Sequence, residues 1–348
     1  MGVICKSIKS SRYNKKELIE IKVENNDFSF VYSVYNSLFI LNKFKNFILE
    51  YHSNSIYMGN TLNEIFKQND EEKMNNLIMN SKKIIYRIKK EKFNFGTTAG
   101  SIIMEILDLL KKEQLLRKYE SNSDDFANPD YKIALQKYVE SHRLIYSDNK
   151  FSELFHGLLK RQILYNQNIV YTFEYFSYIE LNLVDIFNKL SNEGRVFYNT
   201  FNVPEINLID AIREEFSPRS STYNNSASIE QKSIYCTAPY LIFILNSKKT
   251  VGEQVYNYFN VGKIVYGQEI DISYLAEYPE NKNRYRISSI IKEKNINNNN
   301  NDKSENYINN NVDENGQFYY YENNIKINGI FIKEGYYEQV LIYKQLKD

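Results

Sequence analysis

Pro239-Tyr-Leu-Ile-Phe-Ile-Leu245 is an unbroken apolar run behind a proline. So short a run, rich in branched and aromatic side chains, predicts a buried strand. On its C-terminal side, Tyr285-Arg-Ile-Ser-Ser-Ile-Ile291 alternates, and residues 318–321 and 339–343 are further strand candidates. On its N-terminal side the period changes. Residues 36–51 place Leu38, Leu41, Phe44, Ile48 and Tyr51 at helical steps. Residues 70–92 do the same with Met74, Leu77, Ile78, Ile84, Ile85 and Ile88. Thr97 and Thr98 can cap a third helix striped by Ile102, Ile103, Ile106, Leu109 and Leu110, and a further helix is expected around 131–145. Helices first and strands later, without βαβ alternation, predict an α+β fold with a segregated, mostly antiparallel sheet.

One segment departs from this patterning. Residues 295–311, Asn-Ile-Asn-Asn-Asn-Asn-Asn-Asp-Lys-Ser-Glu-Asn-Tyr-Ile-Asn-Asn-Asn, have almost no apolar content. They are expected to form a mobile insertion between two strands. The 348 residues include 46 Asn and no Trp, a bias that follows from an AT-rich coding sequence and weakens any argument resting on Asn alone.

The 44 basic and 43 acidic residues leave a formal net charge of +1, which gives no global reason to expect a nucleic-acid binder. No stretch approaches the roughly 18 apolar residues of a membrane span, and the N-terminus lacks the apolar core of a secretory signal. With Cys5 and Cys236 alone, a disulfide framework is excluded and a reducing, intracellular compartment is the expectation.

Catalytic chemistry is hard to find. The His residues are His52, His142 and His156, so none lies in the C-terminal half. His156 precedes an expected strand, and Cys236 precedes the 239–245 strand, where a small core hydrophobe is expected. The Cys and His spacing does not suit a zinc site, and Gly96 and Gly100 do not follow a strand as a phosphate loop requires. No cofactor is expected.

The order of the segments resembles the ubiquitin-specific proteases, papain-like deubiquitinases, over residues 25–345, with 1–24 as an N-terminal extension. The family's first box, N-T-C-Y-x-N-S-x-L-Q, is similar to Val31-Tyr-Ser-Val-Tyr-Asn-Ser-Leu-Phe-Ile40, which keeps Asn36 and Ser37 and puts Ser33 in the nucleophile slot. Its second box resembles residues 97–110. Its F-x-G-x-L-x-S-x-I-x-C-x-x-C segment resembles residues 155–168, with Phe155, Gly157, Leu159 and Ile163 kept and Tyr165 and Asn168 in the zinc-ligand slots. Ala238-Pro-Tyr-Leu-Ile-Phe-Ile-Leu245, residues 264–275, 285–291 and 338–343 resemble its later strands. The G-H-Y box falls on Gly316-Gln317-Phe318, which makes Gln317 the base slot, and Asn328 is the candidate third residue.

The resemblance implies a helical N-terminal half, the thumb, and a mostly antiparallel C-terminal half, the fingers and palm. It also implies lost catalysis. Ser33 cannot supply a thiolate and Gln317 cannot accept a proton. The family's inactive branch, associated with the U4/U6.U5 tri-snRNP in pre-mRNA splicing, carries the closest likeness, as in Phe44-Lys-Asn-Phe-Ile-Leu49 and Ile270-Asp-Ile-Ser-Tyr-Leu275. That branch implies a nuclear scaffold with protein partners in a ribonucleoprotein complex. RNA contact through the basic run at 82–92 would be secondary. A diverged deubiquitinase using Cys5 or Cys236, and a pseudo-protease that binds ubiquitin weakly without cutting it, are the alternatives. The 295–311 insertion would lie over the channel for the ubiquitin tail.

Overall fold

The computed structural model describes residues 29–50, 58–68, 99–114, 123–146, 150–198, 204–246, 248–251, 254–257, 263–276, 283–294, 307–313, 315–322, 325–330 and 336–346, with short helical stretches between 73 and 81. The helices are α1 (Ser29–Phe39), α2 (Asn42–Leu49), α3 (Met58–Lys67), α4 (Ala99–Gln114), α5 (Tyr131–Tyr146), α6 (Lys150–Phe155), α7 (Leu183–Asn192) and α8 (Leu208–Glu215). The strands are β1 (Gly157–Tyr165), β2 (Asn168–Phe176), β3 (Ile179–Asn182), β4 (Phe197–Tyr198), β5 (Pro204–Asn207), β6 (Arg219–Tyr223), β7 (Ser226–Cys236), β8 (Tyr240–Asn246), β9 (Lys248–Val251), β10 (Gln254–Asn257), β11 (Lys263–Val265), β12 (Glu269–Asp271), β13 (Arg284–Lys294), β14 (Tyr307–Val312), β15 (Phe318–Glu322), β16 (Ile325–Asn328) and β17 (Tyr336–Gln345).

The apolar run at 240–245 explains the architecture. Its side chains alternate between two cores. Tyr240, Ile242 and Ile244 join the N-terminal helices, whose contribution includes Leu38, Phe44, Ile103 and Phe155. Leu241, Phe243 and Leu245 join Val184, Ile186, Ala211 and Ile212 of α7 and α8 on the other face. β17 divides in the same way, with Val340 and Ile342 on the first face and Leu341 and Tyr343 on the second. A strand covered on both sides needs no polar alternate residues, so it appears as a continuous apolar run. This sheet runs β16-β15-β14-β13-β17-β8-β3, with β12 added to β13. Its ladders are antiparallel except where β3 meets β8.

A second, four-stranded antiparallel sheet, β2-β1-β7-β6, carries two hairpins side by side. α5 covers part of it, where Ala134 and Tyr138 pack with Leu158 and Phe173. A small sheet, β11-β5-β4, joins β11 to β5 in parallel.

Several sequence expectations require correction. The helix expected over 36–51 breaks at Leu41, whose extended ψ of 90° ends one axis and starts the next. The break lets Leu41, Phe44, Phe47 and Ile48 all face the core. Helices are not confined to the first half. Asn182 and Asn207 cap α7 and α8, the latter through Asn207 Oδ1 accepting from the Ile209 N–H at 2.8 Å. The Asn-rich insertion does not extend to 311, because residues 307–312 form β14 beside β13. Asn309, Asn310 and Asn311 are buried there and their backbone belongs to the sheet. Residues 295–306 and the helical expectation over 82–92 lie outside the described residues. Cys236 ends β7 exposed, so it is not a core hydrophobe. No described helix is long and apolar enough to cross a membrane.

Candidate functional site

α1 brings the resemblance's nucleophile slot against the sheet. Ser33 is buried, and its backbone carbonyl accepts a hydrogen bond from Asn309 Nδ2 of β14 at 2.6 Å. One helical turn on, Ser37 Oγ lies 2.8 Å from Ser289 Oγ of β13. Ser289 Oγ in turn lies 2.9 Å from Asn311 Oδ1, to which it donates. Ser33 and Ser37 share a face because they are four residues apart. Asn309 and Asn311 share a face because they are two apart on a strand. The two periods therefore align a row of small polar side chains along the α1–sheet seam. Between the serines on the chain, the Tyr35 hydroxyl bonds Ser81 Oγ, which also donates to the Ile78 carbonyl at 2.6 Å.

The other expected site residues do not join Ser33. Gln317 is exposed in the turn between β14 and β15. Its N–H donates to Asp313 Oδ1 at 2.9 Å, and Asp313 N–H donates back to the Gln317 carbonyl at 3.0 Å. Gly316 holds φ +80 in that turn, a region glycine enters without strain. Asn328 is exposed at the end of β16, the outermost strand, opposite Tyr319. α1 packs against both β13 and β14, whereas Gln317 lies in the turn that follows β14. Gln317 is thus a turn residue, and the residue meeting Ser33 is Asn309. The sequence missed Asn309 because it sits in a tract discounted as compositional bias. The available signal was Tyr307-Ile308 and Val312 bracketing it with strand-forming residues.

Chemically, the seam offers hydroxyls and amides. An amide side chain does not exchange a proton near neutral pH, so Asn309 cannot serve as a general base. His156 sits between α6 and β1 with its ring edge-on to Phe151 at 5.4 Å and near Tyr175 at 6.0 Å. Burial, then the Lys111 charge, lowers its pKa to about 3, so it is neutral and weakly basic. His142 lies on α5 and His52 lies outside the described residues. Cys236 pairs with Leu158 in the four-stranded sheet; the residue is exposed, but protein atoms around its sulfur partly desolvate it and raise the thiol pKa. Such a thiol is not an activated nucleophile. Cys5 lies outside the described residues. Among the described residues no group of three or more His, Cys, Asp or Glu could hold a metal ion.

No family model and no curated protein matches the chain. Solved structures do. The yeast SAGA DUBm with a mutant Sgf73 matches at TM-score 0.62 and 11% identity, over 94% of this chain and 68% of that chain. The Ubp8–Sgf11–Sgf73–Sus1 SAGA DUB module matches at TM-score 0.61 and 11% identity, over 94% and 67%. The SAGA DUB module bound to monoubiquitin matches at TM-score 0.60 and 12% identity, over 94% and 69%. The matched subunit, Ubp8, is a ubiquitin-specific protease. These likenesses establish a ubiquitin-specific-protease-like α+β fold.

Proposed function

We propose that this chain is a catalytically inactive ubiquitin-specific-protease-like scaffold that acts through protein contacts, as a component of a pre-mRNA splicing assembly of the tri-snRNP type in the nucleus. The observation that carries the inactive reading is the set of residues along the seam between α1 and the sheet, which includes Ser33 and has no histidine among the described residues. The resemblance puts Ser33 and Gln317 where the family's chemistry calls for a thiolate and an imidazole, and the side chain that reaches Ser33's backbone carbonyl is an amide, Asn309. The sequence has no His beyond residue 156, so no histidine can reach this seam from β13, β14 or β15. Members of a catalytic constellation act as a unit, and losing nucleophile and base together leaves background hydrolysis.

The fold does not by itself carry function, and the partner reading rests on the sequence resemblance. The solved neighbours are components of multiprotein complexes, which agrees with a role among protein partners. The experiment is affinity purification of the tagged chain from its own cells. The proposal expects U4, U5 and U6 RNAs with their core proteins. Recovery of a chromatin complex or of ubiquitin conjugates in their place overturns the splicing assignment. One neighbour is bound to monoubiquitin, which makes retained ubiquitin binding without cleavage the second reading. Titration of purified chain with monoubiquitin separates the two.

A further inference from the structure

The two hairpins of the four-stranded sheet end in matching turns. Tyr165 and Asn168 pair across a two-residue turn, Asn166-Gln167, with φ of 46° and 63°. Tyr223 and Ser226 pair across a second two-residue turn, Asn224-Asn225, with φ of 48° and 60°. β1 and β7 run antiparallel with Tyr165 opposite Ser228, so both turns lie at the same end of the sheet. Strand alternation puts Tyr165, Asn168, Tyr223 and Ser226 on one face. Two pairs spaced x–two–x on adjacent hairpins form the framework of a four-ligand zinc knuckle.

The side chains present do not fit that metal. Zinc in a structural knuckle takes thiolate or imidazole, and these four positions supply two phenols, an amide and a hydroxyl. The space is filled instead. The Tyr165 and Tyr223 rings lie 4.8 Å apart at 56°. They pack on Ile163, Val170 and Ala127, and Ser221 and Ser228 hydroxyls bond beside them at 2.7 Å.

We infer that the outer end of this sheet keeps the backbone layout of a zinc knuckle and has replaced the metal with a tyrosine clamp. The Tyr165–Tyr223 contact joins the two hairpins, so their order is independent of zinc. An aromatic pair of this kind stabilises enough to slow local opening about five-fold.

Amide exchange of the full chain, with and without a strong chelator, tests the inference together with metal analysis. The expected result is no stoichiometric zinc, and protection over 163–170 and 221–228 that the chelator leaves unchanged. Tyr165→Ala raises exchange about five-fold in both hairpins, whereas Tyr165→Phe, which keeps the ring, does not. Stoichiometric zinc, chelator-induced loosening, or no change in Tyr165→Ala overturns the clamp. The layout is tested separately by placing Cys at all four positions (Tyr165→Cys, Asn168→Cys, Tyr223→Cys, Ser226→Cys) and titrating with Co²⁺. Thiolate–cobalt absorption at one ion per chain is expected, and its absence contradicts the knuckle layout. Should Tyr165→Ala not fold, the chelator measurement on the unaltered chain still decides metal independence.

Discussion

Asn309 Nδ2 donates to the backbone carbonyl of Ser33 at 2.6 Å, across 276 residues of sequence. This bond ties α1 to β14 beside Ser33, the residue that the sequence resemblance assigns to the nucleophile slot. The Asn309 amide N–H is spent on a backbone carbonyl, while its Oδ1 is left buried with no hydrogen-bond partner among the described residues, so the contact is a structural tie between helix and sheet.

Ser33→Cys is therefore expected to leave hydrolysis of a ubiquitin C-terminal fluorogenic amide at background. A thiol at position 33 still needs an imidazole to ionise it and to protonate the leaving group. Turnover above buffer in Ser33→Cys would mean that a base had been overlooked.

Asn309→Ala is expected to destabilise the protein by about 0.5–1.5 kcal/mol, because one buried side chain-to-backbone hydrogen bond is lost while the Ser33 carbonyl keeps its helical donor. Asn309→Asp should cost more, since a carboxylate would face that carbonyl at close range. Urea denaturation at neutral pH measures both, and equal stability of Asn309→Ala and the parent chain would show that the bond contributes nothing.

His156 gives a signed pH dependence. Its pKa is lowered from 6.5 to about 3 by burial and by Lys111. The unfolded chain binds the proton first as pH falls, so this contribution is complete above pH 6.5 and is lost between there and pH 3. The slope is about 1.4 kcal/mol per pH unit in that window. His156→Phe should flatten the curve measured by denaturation from pH 7 to 4.5. An unchanged slope would place the titration elsewhere.

Lys292 Nζ and Glu338 Oε1 form a buried ion pair at 3.2 Å between β13 and β17. Removing one partner leaves a buried charge, so Glu338→Ala is expected to cost about 3–5 kcal/mol, whereas Lys292→Met with Glu338→Leu should cost much less. A double-mutant cycle by denaturation checks this. Additive losses would mean that the pair is not coupled.

The elements that were legible in the sequence are those whose pattern comes from packing. The strand at 240–246 and the stripe Ile102, Ile103, Ile106, Leu109 and Leu110 bury their apolar residues where the periods put them. What stayed hidden was decided by polar residues. Asn182 and Asn207 start helices and Asn309 anchors α1, yet in an Asn-rich chain each looked like background. The strand that meets α1 was hidden too. Gly316-Gln317-Phe318 matched a short box by residue type, whereas the strand touching α1 was set by long-range pairing of Ser289 with Asn311. Such pairing leaves no local pattern. The Tyr165–Tyr223 contact was hidden likewise, since the second hairpin offered no cysteine to mark it.

The central claim is the absence of catalysis from a ubiquitin-specific-protease fold. The most direct measurement exposes the purified chain to ubiquitin bearing a C-terminal electrophile and to the fluorogenic ubiquitin amide, beside an active deubiquitinase. The account predicts no covalent adduct and a release rate equal to buffer. An adduct on any residue, or turnover abolished by substituting that residue, would contradict it.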